Sequence, residues 1–324
     1  MKIEKIKITN YKVLQNFEID FCDNEGEILD IIVIAGINGS GKTTILELIQ
    51  DSFNSKFRFN NNDFINFSMK DFKKLIYFRV FDKQKEKVIF QIKNFIDMIK
   101  DNNEELTIRE ANQKATDDIN SLFNGLDLKT KFKGISKDIN REILFENDIN
   151  NNIKLEELSS GEQQLFIRAL SLKMMDLKNC VILIDEPETS LHPNWQNQIL
   201  KIYQNISKDG NNQLIIATHS PQIISSTPNQ SLRILIKDGK NIEVKNIDKS
   251  YGVEIEEVLQ DLMGTKYLRT PKIAKDIKEM WNYLNIEDLE NFEIIYNKLE
   301  NILDLNDKDL LLSRLKKAKI LSKR

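Results

Sequence analysis

Apolar residues are interleaved with polar ones at the start of the chain, in the pattern of half-buried β-strands. The pattern runs from Ile3 to Ile8 and again from Phe17 to Phe21, and such alternation is typical of strands with one buried face. Ile28 to Ala35 is almost continuously apolar, which predicts a fully buried strand. Residues 43–53 then carry apolar side chains at helical spacing, so a helix is expected to follow the sheet.

The middle of the chain carries weaker patterns. Strand signals at Leu75 to Phe81 and at Val88 to Ile92 flank a polar stretch, which predicts a hairpin. Between about residues 94 and 155 the spacing is mostly helical. We therefore expect a mainly helical segment between two parts that form sheet.

Short buried strands return in the second half. Val181 to Ile184 and Leu214 to Ala217 are each followed by a polar motif and a helical stretch, and this order is typical of a parallel α/β sheet. Leu232 to Val244 predicts a hairpin that turns at Asp238 and Gly239.

The last part of the chain, from about residue 249, shows helical stripes without strand signals. We therefore predict an α/β fold with a mixed sheet over residues 1–248, with a helical lobe at about 94–178, and a small all-helical region over 249–324. The apolar stripes lie at Ile277, Met280, Trp281, Leu284, Phe292, Ile295, Tyr296, Leu299, Ile302 and Leu303.

Composition and charge exclude several classes of protein. The 324 residues are 40% hydrophobic and 30% charged with a net charge of -3, so no global field attracts nucleic acid or an anionic membrane. Cys22 and Cys180 are the only cysteines, which argues against a disulfide framework and favours a reducing, cytoplasmic setting. No apolar run approaches the roughly 18 residues of a membrane span, and the first residues lack the apolar core of a signal peptide.

A glycine-rich loop lies between the predicted buried strand and the first helix. Residues 36–43, GINGSGKT, fit G-x-x-x-x-G-K-[ST] in the strand-loop-helix context that this pattern needs. Backbone N–H groups can wrap a phosphate there, while Lys42 adds charge for the terminal phosphates and Thr43 offers a hydroxyl to Mg²⁺. The alternative is an ordinary glycine-rich turn at the end of a strand, but such a turn does not require the strand-loop-helix order found here. The predicted nucleotide-binding residues are Asn38, Gly39, Ser40, Gly41, Lys42, Thr43 and Thr44.

Two acidic residues, Asp185 and Glu186, end one of the predicted buried strands. A buried strand holds its side chains with little play, which suits a carboxylate aimed at a metal. Asp185 is predicted to reach the ligand shell of Mg²⁺ together with Thr43, and Glu186 to orient and deprotonate the attacking water. Alone, the pair could be two solvated acids at a strand end; the phosphate loop favours the catalytic interpretation.

A second candidate anion site precedes a helical run at residues 165–175. The segment 158–162, LSSGE, brings small residues to a helix start, where free N–H groups and the helix dipole face the same way. By itself this segment would be an ordinary N-cap. Two anion sites in a chain with one triphosphate loop require a further explanation.

The chain has 2 histidines, and both lie within polar motifs. His192 follows seven residues after Asp185, and His219 stands at the end of the strand predicted at 214–217. Polar side chains at the carboxyl edge of a parallel sheet lie where ligands bind, so His219 is a candidate contact for the γ-phosphate. A hydrogen-bonded histidine at a strand end is the alternative.

Four motifs in this order, the phosphate loop, L-S-S-G-E, I-D-E-P-E-T-S-L-H-P and T-H-S-P, resemble those of the ABC-type ATPases. The resemblance covers about residues 1–245. It implies a P-loop ABC-type fold and a head-to-tail homodimer, with His219 as the γ-phosphate sensor. The signature of one copy would close on the ATP held by Lys42 of the other copy. The signature residues implied to act in trans are Ser159, Ser160, Gly161 and Glu162.

Departures from the transporter pattern indicate a different branch of these ATPases. Transporter ATPases usually carry L-S-G-G-Q and D-E-P-T-S-A-L-D, whereas this chain has Ser160, Glu162 and His192 at three of those positions. These residues, and the start ITNYK at residues 8–12, resemble the SMC, RecF and OLD-like branch, which acts on nucleic acids or in phage defence.

Within this branch the chain looks most like the small stand-alone ATPases of bacterial defence, of the PtuA type found in Septu and retron systems. From Gly41 to Leu158 there are 117 positions, too few for the coiled-coil arm of SMC-like proteins. The residues after Pro221 lack an evident TOPRIM set, so no nuclease site within the chain is expected. Residues 251–255 and 262–264 also look like this group.

The resemblance implies an Mg²⁺-dependent ATPase switch, a homodimer or higher oligomer, that controls a separate HNH-type nuclease in antiphage defence. The alternatives are a DNA-repair or SMC/RecF-like DNA-binding ATPase, the energy subunit of an ABC transporter, and an ATP-binding scaffold without useful hydrolysis. No membrane contact is expected.

Three assignments stay open from the sequence. Gln91 and Gln113 are both candidates for the glutamine that senses Mg²⁺ and the γ-phosphate, and Tyr11 or Lys12 could contact adenine. Two basic clusters could be solvated helix faces, the commoner case, or could contact DNA or RNA. They comprise Lys266, Arg269, Lys272, Lys275 and Lys278, and Arg314, Lys316, Lys317, Lys319, Lys323 and Arg324.

Overall fold

A computed structural model describes residues 2–57, 59–60, 62–68, 74–79, 85–102, 105–136, 138–139, 141–175, 177–207, 210–239, 241–245, 257–259, 269–304 and 306–322. The chain divides into two compact units, Met1–Val258 and Leu259–Arg324.

The strands are β1 (Lys2–Tyr11), β2 (Leu14–Asp20), β3 (Ile31–Ala35), β4 (Phe64–Ser68), β5 (Lys74–Arg79), β6 (Lys131–Ile135), β7 (Ile143–Glu146), β8 (Ile153–Lys154), β9 (Cys180–Asp185), β10 (Gln213–Thr218), β11 (Leu232–Asp238) and β12 (Asn241–Lys245). The helices of the first unit are α1 (Lys42–Phe53), α2 (Lys85–Asp101), α3 (Ile108–Ser121), α4 (Ser160–Lys173), α5 (Pro193–Gln196), α6 (Ile199–Ser207) and α7 (Pro221–Ser225). Single 3₁₀ turns occur at Leu155–Glu157 and Asn229–Ser231. The helices of the second unit are α8 (Pro271–Asn285), α9 (Leu289–Glu300) and α10 (Lys308–Leu321).

A six-stranded sheet forms the centre of the first unit, in the order β12-β11-β3-β10-β9-β5. Its strands run parallel except β12, which pairs antiparallel with β11 through the hairpin predicted at Asp238. The mixed α/β fold predicted from the sequence is thus confirmed. The register pairs Thr218 with Ala35 and Ala217 with Asp185, so the carboxyl ends of β3, β10 and β9 lie side by side.

The main core lies between this sheet, helix α1 and a three-stranded antiparallel sheet in the order β2-β1-β4. The alternation predicted at the start of the chain appears as the buried residues Ile3, Ile6 and Ile8 of β1. Each fully buried Ile or Leu contributes about 1.5–3 kcal/mol relative to an exposed one. The core therefore fixes the strand ends from which the functional loops leave. Helix α1 adds Ile45, Leu46, Leu48 and Ile49.

The prediction of a hairpin from Leu75 to Ile92 is wrong for its second strand. Strand β5 forms, but the segment predicted as its partner lies within helix α2, where Val88, Ile92 and Ile96 are buried at every fourth position. A short apolar run fits a strand and a helix equally well, and the buried face of α2 becomes clear only over its full length. Phe81, the end of the predicted strand, lies outside the described residues.

The segment expected to be mainly helical also contains a small antiparallel sheet, in the order β6-β7-β8. Phe132 of β6 and Phe145 of β7 pack at 5.9 Å between ring centroids, and Phe145 contacts Phe166 of α4 at 4.6 Å. The sequence analysis missed these strands because β7 and β8 have only four and two residues, which is too short for a period of two to stand out. This aromatic cluster supports α4, the helix that follows the signature segment.

The second unit has its own apolar core, which most residues of the helical stripes predicted from the sequence form. Ile302 is an exception, because 56% of its surface is exposed. Fully buried residues of this core include Met280, Leu284, Leu299 and Leu310. The described helices contain none that is long and apolar enough to cross a membrane. The two cysteines, Cys22 and Cys180, are both free thiols.

Many cations of the two basic clusters form intramolecular contacts within the second unit. Arg269 donates to Asp307 at 2.6 Å and to Asp309 at 3.0 Å, and Arg314 donates to Glu300 at 2.6 Å. Lys317 pairs with Glu293, Lys275 with Glu279, and Lys316 lies over the Trp281 ring. Lys266, Lys323 and Arg324 lie outside the described residues. These contacts favour the interpretation as ordinary charged helix faces.

Candidate nucleotide-binding site

The glycine-rich loop leaves β3 at Gly36 and enters α1 at Lys42. Gly41, the residue before the helix, has φ +94°, and a Cβ there would lie 2.9 Å from Ile242 Cδ1, so glycine is required on both conformational and steric grounds. No side chain caps α1. The first-turn N–H groups of a helix have no intrahelical acceptors, and here they remain available to an anion.

Lys42 is almost fully buried, with 6% of its surface exposed. Its Nζ donates hydrogen bonds to the carbonyl oxygens of Gly36 at 2.8 Å and Ile37 at 3.0 Å. Burial lowers the pKa of Lys42, while the nearby carboxylates of Glu186, Glu188 and Asp185 act in the opposite direction. A desolvated cation with only carbonyl partners in its own loop is well suited to pair with phosphate oxygens.

Thr43 and Asp185 meet where the phosphate loop faces the end of β9. Thr43 Oγ1 donates to Asp185 Oδ1 at 3.2 Å, although the two residues are 142 positions apart. A hydroxyl and a single carboxylate are hard oxygen donors of the kind Mg²⁺ prefers, since this ion takes its other ligands from water and phosphate. The buried hydroxyl of Ser40, within the loop, has no hydrogen-bond partner among the described residues. These residues fit a Mg²⁺-nucleotide complex.

Glu186 and His219 lie side by side at the ends of β9 and β10. Oε1 of Glu186 is 3.2 Å from Nδ1 of His219, and both side chains are partly exposed. The backbone N–H of Glu186 donates to the carbonyl of Ala217 at 2.9 Å. Glu186 has φ +49°, an unfavourable conformation for a residue with a Cβ, and such strain concentrates at functional sites.

The signature segment forms the N-terminus of α4 through a reciprocal capping box. The Ser159 hydroxyl accepts from the N–H of Glu162 at 3.3 Å, and the Glu162 carboxylate accepts from the N–H of Ser159 at 3.1 Å. Thr130 also donates to Glu162, at 2.5 Å. The N-cap predicted as the simpler interpretation therefore exists, and Glu162 uses its carboxylate within the chain. Ser160 is exposed beside it.

An open groove of about 860 Å³ lies beside the signature segment. Ser159, Ser160 and Gly161 line one part of it, and His192 and Trp195 line another. His192 caps the short helix α5, its Nδ1 accepting from the N–H of Asn194 at 3.3 Å. The signature segment is thus accessible to solvent on the first unit.

Gly161 of the signature segment lies close to the Trp195 ring. A Cβ at this position would lie 2.6 Å from Cζ3 of Trp195. Gly161→Ala is expected to displace the half-buried Trp195 ring, to change the protein's tryptophan fluorescence, and to lower the free energy of unfolding by about 1 kcal/mol, the lower end for overpacking. Urea unfolding and emission spectra check this. Adding Trp195→Leu should restore the stability, and a Gly161→Ala protein with unchanged emission would contradict the contact.

The residues left open by the sequence have these positions. Tyr11 donates to Asp51 Oδ2 at 2.7 Å, and burial with this hydrogen bond raises the pKa of Tyr11 to about 12. Lys12 pairs with Glu47 at 2.7 Å. Gln113 lies on α3 and donates to Asp117 at 2.9 Å. Gln91 lies on α2, not on a hairpin strand. Neither the adenine contact nor the sensor glutamine is decided by these contacts.

Two residues at the site were missed by the sequence analysis. Tyr77 of β5 donates its hydroxyl to Asp185 Oδ2 at 3.2 Å. Glu188 is buried and accepts hydrogen bonds from the turn that carries His219. The acidic residue in D-E-P-E was a usable signal for Glu188, whereas Tyr77 depends on the pairing of β5 with β9.

Two family models match the part of the chain that carries this site. Residues 56–225 match the family described as "AAA domain, putative AbiEii toxin, Type IV TA system", and residues 1–80 match "AAA ATPase domain". The chain belongs to this AAA ATPase family. The predicted relationship is therefore confirmed, and the two matches together cover both the phosphate loop and the acidic strand end.

Two curated relatives and one solved structure are similar to the chain. The Septu protein PtuA of Bacillus thuringiensis is 28% identical over 62% of this chain and 54% of that protein. The methionine import ATP-binding protein MetN of Clostridium tetani is 26% identical over 90% of this chain and 85% of that protein. The SMC head domain from Thermotoga maritima has a TM-score of 0.48 and 17% identity, covering 77% of this chain and all of that one. The chain thus spans about half the length of its Septu relative.

Proposed function

We propose that this protein is a Mg²⁺-dependent ATPase that works as a homodimeric switch. The observation that carries the proposal is the meeting of Lys42, Thr43, Asp185, Glu186 and His219 at the adjoining ends of β3, β9 and β10. Phosphoryl transfer to water needs groups that bind the phosphates, oxygen ligands for Mg²⁺ and a general base, and we assign these three roles to these residues. The family membership supports the same activity.

Each residue has a distinct role in the proposed reaction. The loop N–H groups and Lys42 bind the β- and γ-phosphates of ATP, and Asn38, Gly39, Ser40, Gly41 and Thr44 shape this cradle. Thr43 and Asp185 would hold Mg²⁺, which supplies charge neutralisation for the phosphates when bound. Glu186 takes a proton from the attacking water, and His219 orients the γ-phosphate beside it.

We further propose that the signature segment binds the ATP of a second copy. The start of α4 lines a groove that is open to solvent, which supports an anion site at this position. One chain has one triphosphate-binding loop. The second anion site could therefore bind the triphosphate held by another copy if two copies meet head to tail. Ser159 to Gly161 would then contact the partner's γ-phosphate, while Glu162 fixes the helix start through its capping box.

A mixture of two inactive variants tests the shared site. Lys42→Ala removes the phosphate cation, and Ser160→Arg blocks the exposed signature surface. Each homodimer should be inactive, but in an equal mixture about half the dimers are mixed and each retains one intact site, so about a quarter of the wild-type activity returns. Phosphate release measured after exchange of subunits checks this. A mixture no more active than its components would contradict a site built from two chains.

We propose antiphage defence as the biological setting, with a separate HNH-type nuclease as effector and the cytoplasm as location. Similarity to the Septu protein PtuA supports this setting. The energy subunit of a transporter is the second candidate, supported by the match to MetN. The usual signature Gln is replaced by Glu162, whose carboxylate is held within the chain, and this favours the defence setting. A DNA-binding ATPase is less favoured, because ion pairs engage many of the basic C-terminal residues.

Capture of partners in the ATP-bound state separates these candidates. Tagged Glu186→Gln protein, held in ATP, is expected to recover a nuclease that Lys42→Ala protein in ATP does not recover. A membrane protein recovered instead would favour the transporter, and DNA or RNA recovered without a nuclease would favour the DNA-binding ATPase. Purified chain that cleaves DNA unaided, and loses this cleavage with Asp185→Ala, would contradict a separate effector.

A further inference from the structure

Glu188 is a buried carboxylate directly beneath the turn that carries His219. Its side chain is 5% exposed. One oxygen, Oε1, accepts from the Thr218 hydroxyl at 2.6 Å and from the backbone N–H groups of His219 at 2.9 Å and Ser220 at 3.1 Å. A carboxylate that accepts several hydrogen bonds fixes the positions of its donors.

The same oxygen also faces the imidazole of His219. Nδ1 of His219 lies 3.4 Å from Oε1 of Glu188 and 3.2 Å from Oε1 of Glu186. Nδ1 has no hydrogen-bond partner among the described residues, so the two carboxylates act on the ring through their nearby negative charge. This charge favours a proton on Nδ1, since ionised carboxylates accept hydrogen bonds and cannot donate them, and Nε2 is then the ring nitrogen available for a ligand.

The peptide around Glu188 is itself held in place from helix α4. The guanidinium of Arg168, which is 3% exposed, donates to the carbonyl oxygens of Pro187 and Thr189 on either side of Glu188. Burial lowers the pKa of Arg168, and the negative charge of Glu188 acts against this lowering. The carboxylate therefore has little freedom to shift relative to the strand ends.

We propose that Glu188 is a positioning residue for ATP hydrolysis, acting through His219. Its carboxylate holds the His219 turn through three hydrogen bonds and places a negative charge beside Nδ1, so that the imidazole is set toward the γ-phosphate before ATP arrives. The inference rests on the ATPase function proposed above. Glu188 itself does not touch the substrate.

Glu188→Gln tests the role of the charge, because the amide oxygen can keep the three hydrogen bonds while the negative charge is lost. The kcat for ATP hydrolysis is expected to fall by about 10 to 100-fold, since a small misplacement of a catalytic group costs up to about 10²-fold. The Kd for ATP should change by less than about threefold, because the phosphate loop is untouched.

A double variant distinguishes action through His219 from an independent effect. In a His219→Ala background, Glu188→Gln should cause no further loss of kcat, because residues that act as a unit are not additive. Losses that multiply in the double variant would overturn the proposal. A Kd for ATP that weakens in parallel with kcat would also overturn it, since Glu188 would then act on Lys42 instead.

Asp63 offers a matched control outside the site. It is 7% exposed and accepts from the Thr9 hydroxyl at 2.6 Å, the Thr9 N–H at 2.7 Å and the Asn60 N–H at 3.1 Å. Asp63→Asn should therefore change the melting temperature as Glu188→Gln does but leave kcat within about twofold. An equal loss of kcat in both variants would overturn the proposal.

If Glu188→Gln does not fold, Thr218→Val replaces it, because this substitution removes one donor to the same oxygen. Thr218→Val must then lower kcat in the wild-type background and cause no further loss of kcat in the His219→Ala background. If the wild-type chain hydrolyses ATP and Glu188→Gln is equally active, the positioning role is overturned and the proposed function stands. A wild-type chain with no ATPase activity would overturn both.

Discussion

Glu186→Gln should slow ATP hydrolysis by about 10² to 10⁴-fold while ATP still binds, the usual effect of removing a positioned general base. The amide keeps the size of the side chain beside His219 but cannot accept a proton from water. Glu186 is 36% exposed at the end of β9, so the substitution should leave the core and the melting temperature unchanged. Phosphate release at saturating ATP measures the loss.

The same variant is expected to accumulate as an ATP-bound dimer. Without hydrolysis the closed state cannot decay, so size-exclusion chromatography in ATP should show a shift that ADP does not produce. Glu243→Gln, an exposed acid on β12, is the matched control and should behave as wild type. Unchanged hydrolysis in Glu186→Gln would remove Glu186 from the proposed mechanism.

Lys42→Ala is expected to weaken ATP binding by about 100-fold, since hydrogen bonds to charged groups contribute about 1.5–3 kcal/mol each. Lys42 is the buried cation of the loop, and its Nζ donates to the carbonyls of Gly36 and Ile37. Phosphate oxygens would be stronger acceptors for the same ammonium group. Titration with a fluorescent ATP analogue measures the change in Kd.

The fold should tolerate this substitution. Burial lowers the pKa of Lys42, which means that the folded chain disfavours the charged form relative to the unfolded chain. Removing the cation relieves that cost and offsets the loss of two hydrogen bonds, so the melting temperature should change little. Lys7→Ala, at a half-exposed lysine, is the control. Lys42→Ala protein that binds ATP as tightly as wild type would contradict the assignment of the phosphate loop.

Much of the site could be predicted because its functional residues lie in short, continuous segments of the sequence. The residues from Gly36 to Thr43 combine the glycines, the lysine and the hydroxyl within one turn, between a strand and a helix that form as predicted. Asp185 and Glu186 likewise follow an unbroken apolar strand. Local backbone demands and strand burial constrain these residues directly, so one sequence suffices to find them.

Other elements could not be predicted from local spacing. The run at Val88 to Ile92 is apolar enough for a strand, and it became part of α2 because Ile96 continues the same buried face. The strands β6 to β8 were missed because β7 and β8 are too short for a period of two to stand out, whereas in the fold Phe145 of β7 packs on the Phe166 ring of α4. In both cases tertiary packing outweighs the local preference.

The sequence by itself determined the identity of the phosphate loop, the acidic strand end and the parallel α/β rhythm that aligns them. Only the tertiary structure decided which groups meet. Tyr77 reaches Asp185 across 108 positions, and Glu188 reaches the His219 turn across 31. The physical reason is strand order: β5, β9 and β10 are neighbours in the sheet but far apart in the chain, so the contacts that orient the catalytic groups arise only when the strands pair.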